Sequence, residues 1–485
     1  MESRQPSDDS READSHHINS SQTSELAAEC GKAAATNCGE SCLQFDPQAE
    51  KKLRLKIDLY VVPSVAVIFL FCAIDRTNLG NARIAGLEAD LGFTGYNYSE
   101  IMSIFYLSYI LFEIPANLLC KSMGPGWFLP VATIFFGAVS LATAYVHNFA
   151  QMAGVRLLLG FFEAGILPGS PLAGAFGGLI SSAILTLDSF VGLYTWRMIF
   201  AIEGILTICV GFIVLFTLTD RPETARWLSQ GEKELALARV KSERVGQIAV
   251  LDKIDKKKLL RGITSPVTIS MSFLFLLNNI TVQSLAFFLP TIVRTIYRSH
   301  TTVQQQLLTA PPYLVGVIFM LPLPFLSWRY DRRQIFLMLS APAVILGYCM
   351  FLGSKAQAVR YSATFILAAT VFAQGPLCNA QVSANVVGDT ARSAAIGINV
   401  MMGNTGGLIS SWAFLPWDAP DFRIGNGLNL ATATTFLVVA SLTLVWMKRD
   451  NKAREQRNAE EELRDLSQEE IEDLDWKHPE FRWKP

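Results

Sequence analysis

Long apolar runs alternate with short polar segments through most of the 485-residue chain. A helix of about 20 apolar residues is long enough to cross the hydrocarbon core of a bilayer. The pattern therefore predicts an all-α polytopic membrane protein with twelve spans. The predicted spans are 57–77, 101–120, 126–146, 149–168, 171–187, 196–218, 267–293, 311–328, 334–353, 361–386, 393–416 and 427–447.

Basic residues predict the orientation of these spans, since short cytoplasmic loops carry an excess of Lys and Arg. Lys51 and Lys52 precede the first span, and the segment between spans six and seven holds eleven basic residues. An even number of spans must lie between two cytoplasmic segments, so six precede the central loop. The predicted organisation is a disordered cytoplasmic tail (1–50), an N-terminal helix bundle (51–219), a cytoplasmic linker (220–266), a C-terminal helix bundle (267–447) and a cytoplasmic tail (448–485).

An internal repeat relates the two bundles. The string Gly-Gly-Leu-Ile-Ser-Ser occurs at 177–182 and at 406–411, an offset of 229. The first four spans of each bundle, however, are offset by only about 210 residues. The first half therefore lacks about 20 residues between its fourth and fifth spans. Either this hairpin is shortened, with its turn at Pro168-Gly169-Ser170-Pro171, or the sequence comes from a variant transcript or an imperfect gene model.

Ionisable residues inside apolar spans are costly and are candidates for function. Arg156 and Glu163 are seven residues apart in the fourth span, on one helix face with Gly160 between them. Arg156 is a candidate for holding an anion and Glu163 for exchanging a proton; the alternative is an ion pair that only stabilises the bundle. Asp75 is a second candidate for proton coupling. Asp75 and Arg76 end the first span, and the alternatives there are a solvated helix end at the outer interface and a role in the entry path. Glu113 in the second span favours a helix–helix hydrogen bond.

The second half offers amides in place of charges. Asn279 and Gln283 share a face of the seventh span, and the tenth span contains Asn379, Gln381 and Asn385. Amides can bind a polar ligand without the cost of a buried charge, but they also form hydrogen bonds between helices. We favour Asn279, Gln283 and Asn379 as substrate-binding residues.

Other functional classes find little support in the sequence. The formal net charge is −1, which suggests no nucleic-acid partner. No Gly-rich loop follows a strand, and no His/Cys cluster has the spacing of a metal site, so we expect neither enzymatic activity nor a cofactor. Asn97-Tyr98-Ser99 is a glycosylation sequon in the first outer loop. We expect a monomer with a lipid bilayer around it.

Asp331-Arg332-Arg333 and the strings 156–165 and 75–78 are three motifs that resemble the major facilitator superfamily, and within it the fungal allantoate-permease-like branch of anion:cation symporters. The resemblance covers about residues 51–450. Asp331-Arg332-Arg333 is similar to the superfamily's gating motif, and the strings 156–165 and 75–78 resemble the branch's fourth-helix and first-helix signatures. Where family members continue with aromatic and basic residues after Gly169, this chain reaches Pro171 at once.

The resemblance implies two six-helix pseudo-repeats and alternating access between them, with Asp331 and Arg332 in gating. It also implies proton-coupled uptake of a small organic anion, a carboxylate or a ureide, across the plasma membrane, with both termini cytoplasmic. Two other functions remain open: efflux of a fungal metabolite, and a non-transporting sensor or inactive variant.

Overall fold

A computed structural model describes residues 47–164, 171–219, 225, 227–245, 256–386, 389–456, 459–463 and 474–485. This part of the chain is built from helices and contains no strand longer than an isolated bridge. The helices are α1 (Pro47–Ile84), α2 (Leu87–Asp90), α3 (Asn97–Met123), α4 (Pro125–Thr143), α5 (Phe149–Glu163), α6 (Pro171–Ile184), α7 (Trp196–Thr217), α8 (Gln230–Val245), α9 (Lys256–Ile263), α10 (Pro266–Ile296), α11 (Thr302–Leu307), α12 (Ala310–Met320), α13 (Pro322–Tyr330), α14 (Arg333–Gly353), α15 (Gln357–Ala384), α16 (Asp389–Ser410), α17 (Arg423–Glu455) and α18 (Ala459–Leu463).

A helix lies at each of the twelve predicted spans, which confirms the all-α membrane fold. Within the described residues, eight helical segments are long and apolar enough to cross a membrane by themselves. These are Gln48–Ile84, Pro125–Thr143, Trp196–Thr217, Pro266–Ile296, Thr302–Tyr330, Arg333–Gly353, Gln357–Ala384 and Arg423–Glu455. The other four predicted spans are occupied by α3, α5, α6 and α16.

The first helix is longer than its apolar run. The predicted span ends at residue 77, but α1 continues to Ile84 through Asp75 and Arg76, which are only 3% and 4% exposed. The alternative that Asp75 belongs to a solvated helix end is therefore wrong. The helix continues because its polar residues bond to neighbouring helices: the side chain of Asn81, for example, donates to Ser181 Oγ of α6 at 3.1 Å.

The hairpin of α5 and α6 is short, as the repeat offset predicts. Helix α5 begins after Asn148, whose side chain caps it by accepting from the backbone N–H of Gln151 at 2.9 Å, and ends at Glu163. The two helices have 15 and 14 residues, which corresponds to about 22 and 21 Å at 1.5 Å per residue. Each is shorter than the bilayer core of about 30 Å. The predicted turn at 168–170 lies outside the described residues.

The two halves repeat the same helix packing. In the first half α4 packs on α7 and α3 on α5; in the second half the equivalent pairs are α14 on α17 and α12 on α15. The halves meet along two seams, α3 against α16 and α6 against α11 and α12. These two seams are equivalent under the repeat, because each joins the fifth span of one half to the second span of the other.

The repeated glycines make this pseudo-symmetry possible. A Cβ at Gly177 would lie 2.6 Å from Thr77 Oγ1 in α1, and one at Gly406 would collide with the Leu276 carbonyl in α10. The second glycine of each pair instead faces the other half: Gly178 contacts Thr309 at the start of α12, and Gly407 contacts the Tyr106 ring of α3. The first glycine of each pair therefore lets two helices of the same half pack closely, and the second lets the two halves pack closely at the seam.

Hydrogen bonds join the two halves along the seam. They run from its middle to one end of the bundle, the end at which α1 finishes and α3 starts. Asn404 donates to Glu113 Oε2 at 3.1 Å, which agrees with the predicted helix–helix role of Glu113. Nearer the end, Trp412 Nε1 donates to Ser103 Oγ at 2.8 Å, and Gln306 Nε2 donates to the Asn81 carbonyl at 3.3 Å.

A smaller compact unit comprises the described residues 47–56 and 227–245. Within it, Lys56 Nζ lies 2.7 Å from Glu232 Oε2. The hydrogen bond from this ammonium holds the pKa of Glu232 below its ordinary value.

Replacing Gly407 with Val tests the seam. The added methyl groups would fall on the buried Tyr106 ring, and such overpacking costs about 1–3 kcal/mol. We expect the variant to unfold at a temperature several degrees lower, as measured by thermal unfolding in detergent. Gly397→Val in the same helix is the control, since nothing lies within 4 Å of its Cβ position. Equal melting temperatures for the two variants would contradict the seam.

Candidate functional site

Two acids and two arginines lie buried between α1 and α5. Asp75 and Arg76 come from α1, and Arg156 and Glu163 come from α5. None of the four side chains is more than 4% exposed. Charges buried in a membrane bundle without partners are unfavourable, so the pairing among these four groups determines the stability of this region.

The charges pair between the helices and not along α5. Arg76 Nε donates to Glu163 Oε2 at 2.9 Å, whereas Arg156 Nη1 lies 4.0 Å from Asp75 Oδ2. A pair between Arg156 and Glu163, as their shared helix face suggested, is therefore not what forms. The first ion pair is tight, and the second is at the outer limit of an ionic contact.

Neighbouring helices support both acids. Ser140 Oγ of α4 donates to Asp75 Oδ1, and Cys72 Sγ of α1 donates to Glu163 Oε2 at 3.4 Å. Two of the four carboxylate oxygens, Asp75 Oδ2 and Glu163 Oε1, have no hydrogen-bond partner among the described residues. The acids are thus only half satisfied.

Aromatic rings cover the arginines. The Arg76 guanidinium lies 5.2 Å from the Phe105 ring centroid and 4.9 Å from that of Tyr109, both in α3. Arg156 lies 5.5 Å from the Phe200 ring of α7. Cations within about 6 Å of a ring face are attracted by its quadrupole. These rings exclude water and hold the guanidinium groups without neutralising them.

Gly160 lets α3 approach the charged face of α5. A Cβ at this position would collide with the Phe105 carbonyl and would lie 2.9 Å from Ser108 Cβ. Ser108 Oγ also donates to the Leu157 carbonyl at 2.7 Å. The glycine between Arg156 and Glu163 therefore brings the aromatic residues of α3 onto the arginines.

A cavity of about 10 Å³ lies between the arginines and the second half. It is lined by Arg76 and Arg156, by one residue of α10, Phe287, and by Leu79, Met102, Phe105 and Tyr106. Four guanidinium nitrogens have no hydrogen-bond partner in the described part of the chain: Arg76 Nη1 and Nη2, and Arg156 Nε and Nη2. These positively charged groups therefore have free N–H donors, which is the arrangement that an anion binds.

Glu203 of α7 is a further buried acid. It is 3% exposed, and neither carboxylate oxygen has a hydrogen-bond partner within the described residues. It lies one helical turn after Phe200, the residue that covers Arg156.

The predicted amides are engaged elsewhere or buried without lining this cavity. Asn279 donates to the Phe275 carbonyl of its own helix at 2.9 Å, and Asn379 accepts from Asn399 Nδ2 at 2.7 Å. Gln283 is buried in α10, 7% exposed. None of the three is among the described residues that line the cavity of the arginines. Their role in binding stays a prediction.

The predicted gating residues form the turn between α13 and α14. Asp331 has a left-handed backbone conformation, with φ of 48°, and accepts from Arg333 Nη1 at 2.8 Å. Arg332 is the residue that precedes α14. Asn97, the predicted glycosylation site, is half-buried at the first residue of α3, and its sequon partner Ser99 is buried.

Arg76 is the site residue that the sequence analysis did not select. It adjoins Asp75, and the apolar run that defines the first span ends there, so its position in the bundle was not visible. The signal that was available is charge balance, since a carboxylate buried in the bundle requires a cation near it.

The ion pair predicts a non-additive effect on stability. Arg76→Met leaves Glu163 buried without its cation, which typically costs about 3–5 kcal/mol. The double variant Arg76→Met/Glu163→Gln removes both charges, and we expect it to recover most of that loss in thermal unfolding. Arg298→Met, at an exposed position, is the control. Additive effects of the two substitutions would contradict the pairing.

Comparison with known proteins places this geometry in a family. The sequence model of the Major Facilitator Superfamily matches the chain in two segments, residues 65–172 and 169–411. The two segments meet at the short α5–α6 hairpin. MFS transporter prlL of a fungal species (strain NRRL 50135) is 32% identical, with 82% of this chain and 86% of that protein covered. The high-affinity nicotinic acid transporter of Saccharomyces cerevisiae is 27% identical, with coverage of 92% and 86%.

Solved structures share the fold. A bacterial homolog of the human lysosomal transporter Spinster, in an inward-facing and unoccupied conformation, superposes with a TM-score of 0.56 at 15% identity, covering 82% of this chain and 96% of that one. The nucleoside transporter NupG gives a TM-score of 0.51 at 13% identity, with coverage of 79% and 98%. Helices at all twelve predicted spans, two halves with equivalent helix packing and a family match over most of the chain lead to one conclusion: this protein is a membrane transporter of the Major Facilitator Superfamily.

Proposed function

We propose that this protein takes up a small organic anion together with a proton, and that the anion binds at the cavity between Arg76 and Arg156. The observation that carries the proposal is the set of four unpartnered guanidinium nitrogens around one cavity. A planar guanidinium presents paired N–H donors that match a carboxylate. The aromatic lining favours a substrate with a flat or apolar body.

The pairing of the four charges suggests how a proton is coupled. An anion that binds Arg76 competes with Glu163 for the same guanidinium. Once displaced, a carboxylate buried in the bundle is unfavourable as an anion, so it takes up a proton. The anion and proton then move together with no net charge. Asp75 can act in the same way at the more loosely paired Arg156.

The seam contacts support alternating access. They join the halves at the end where α1 ends and α3 begins, which the basic loops predict to be extracellular. A transporter closed at this end is either inward-facing or occluded, and the cavity of about 10 Å³ is the part of the site that remains between the arginines and Phe287. Rocking of the halves about the glycine seams would open the site to the outside. Asp331 and Arg332 would act in the gate at the cytoplasmic end, in a monomer of the plasma membrane.

The relatives are compatible with this substrate class. Nicotinic acid, which the yeast relative's name gives as its substrate, is an aromatic carboxylate. In a conformation in which the site is wider than the present cavity of about 10 Å³, an aromatic carboxylate could pair its carboxylate with the arginines and its ring with Phe105, Tyr106 and Phe287. We use it as the first compound to test, alongside aliphatic carboxylates and ureides.

Arg156→Ala tests the binding site. We expect labelled-carboxylate uptake into a permease-deficient yeast to fall at least tenfold, about 1.4 kcal/mol, because one of two guanidinium partners is lost. Arg156→Lys should retain part of the activity, and Arg298→Ala, at an exposed position, should retain all of it. Unchanged uptake in Arg156→Ala removes this residue from the site. Export without uptake by the wild type would refute import, and neither activity would indicate a sensor or inactive variant.

Glu163→Gln tests the coupling. Glutamine cannot exchange a proton, so we expect the variant to lose accumulation driven by a pH gradient. It should keep exchange of labelled for unlabelled substrate, which needs no net proton movement. Asp75→Asn is the matched comparison, and the variant that loses only accumulation identifies the coupling acid. If both retain gradient-driven accumulation, neither acid carries the proton.

A further inference from the structure

The C-terminal segment 474–485 lies against the bundle. We call it the strap. Trp483 is 2% exposed and belongs to a hydrophobic cluster with Leu377, Val382 and Met447. Its ring centroid lies 5.4 Å from that of Trp446 and 4.9 Å from that of Phe481. A tail predicted to be cytoplasmic thus contains a buried indole.

Two asparagines bind the main chain of the strap in both directions. Asn451 of α17 donates to the Trp483 carbonyl and accepts from the Trp483 N–H, both at 2.9 Å. Asn385, which follows α15, accepts from the Lys484 N–H at 2.8 Å and donates to the Lys484 carbonyl at 3.1 Å. Gln381 Nε2 adds a third donor to that carbonyl at 2.7 Å. Paired donors and acceptors of this kind recognise an extended peptide backbone as a neighbouring strand would.

Charged residues of α17 complete the contact. Asp450 Oδ2 accepts from the Trp483 indole N–H at 2.6 Å. Arg454, which is 7% exposed, donates to the Trp476 and His478 carbonyls at 3.1 and 3.0 Å. The strap also reaches α9, because Trp476 Nε1 donates to the Arg261 carbonyl at 3.2 Å.

These residues form a groove with one matching occupant. The groove comprises Gln381, Asn385, Asp450, Asn451 and Arg454, and it supplies a pocket for one indole together with hydrogen bonds for the backbone on both sides of it. We propose that the groove is a peptide-binding site for the chain's own strap, and that the docked strap makes α9, α15 and α17 move as one body. The tenth-span amides Gln381 and Asn385, which the sequence left as candidates for substrate binding, serve this site instead.

The groove lies outside the cavity of the arginines. It would affect transport because the strap holds the end of α15. This helix carries Asn379, which is bonded to Asn399 of α16, and its end is held by the strap. With the strap undocked, the end of α15 would flex separately from α17. The strap therefore affects the rate of the conformational step and not the affinity for substrate.

Full-length Trp483→Ala in lipid nanodiscs tests the proposal by hydrogen exchange. We expect amide exchange in residues 379–385 and 447–455 to rise at least tenfold, with residues 97–110 of α3 unchanged. A synthetic peptide of residues 474–485 should restore slow exchange, and the same peptide carrying Trp483→Ala should not. Trp417→Ala, which removes an exposed tryptophan outside the strap, is the matched control and should exchange as the wild type does.

Unchanged exchange in Trp483→Ala, an equal rise in both halves, or equal action of the two peptides would each overturn the proposal. If Trp483→Ala does not fold, Asn451→Ala removes two hydrogen bonds without emptying the pocket, and a several-fold rise confined to the same segments is expected. These measurements need no substrate, so they stand apart from the proposed transport activity. In the uptake assay, which rests on that activity, Trp483→Ala should lower kcat with KM unchanged; a changed KM at unchanged kcat would overturn the claim about the conformational step.

Discussion

The structure depends on placing four charges inside a membrane bundle. Two ion pairs between α1 and α5, with Ser140 and Cys72 as additional donors, neutralise the cluster without satisfying every polar atom. A fully satisfied cluster would be a stabilising core. This one leaves guanidinium donors and two carboxylate oxygens unpaired, and the proposed binding of an anion and a proton rests on these atoms. The aromatic residues that α3 brings onto the arginines keep water out while leaving the positive charge available.

Close helix contacts around this cluster depend on glycine. Gly160 allows α3 to reach the charged face of α5, and the repeated pair Gly177-Gly178 and Gly406-Gly407 forms the contacts within and between the halves. In a membrane, where lipid is as apolar as leucine, helices associate through such close packing and through hydrogen bonds between them. The glycine pair therefore occurs in both halves, whereas the buried charged residues of α1 and α5 have no counterpart in the second half.

The two halves differ in the length of one hairpin. Helices α5 and α6 are shorter than a bilayer core, and the family match breaks at the same residues as the repeat offset changes. Both charged residues of α5 nevertheless lie before the break, so the described ion pairs form with the hairpin as it stands. The second half differs in another way, since the strap covers the end of α15 and the part of α17 near Asn451.

The sequence by itself determined the helical class, the twelve spans, the repeat and its 20-residue gap. All of these are properties of periodicity along the chain, and the structure agrees with them. It also identified Arg156, Glu163 and Asp75 as costly residues, because a charge in an apolar run is visible without a structure. Only the tertiary structure decided which charges pair, since residues 76 and 163 meet through the packing of α1 against α5. The tertiary structure also decided that Arg76 belongs to the site and that the polar C-terminus is docked, because an isolated apolar residue such as Trp483 leaves no periodic signal to read.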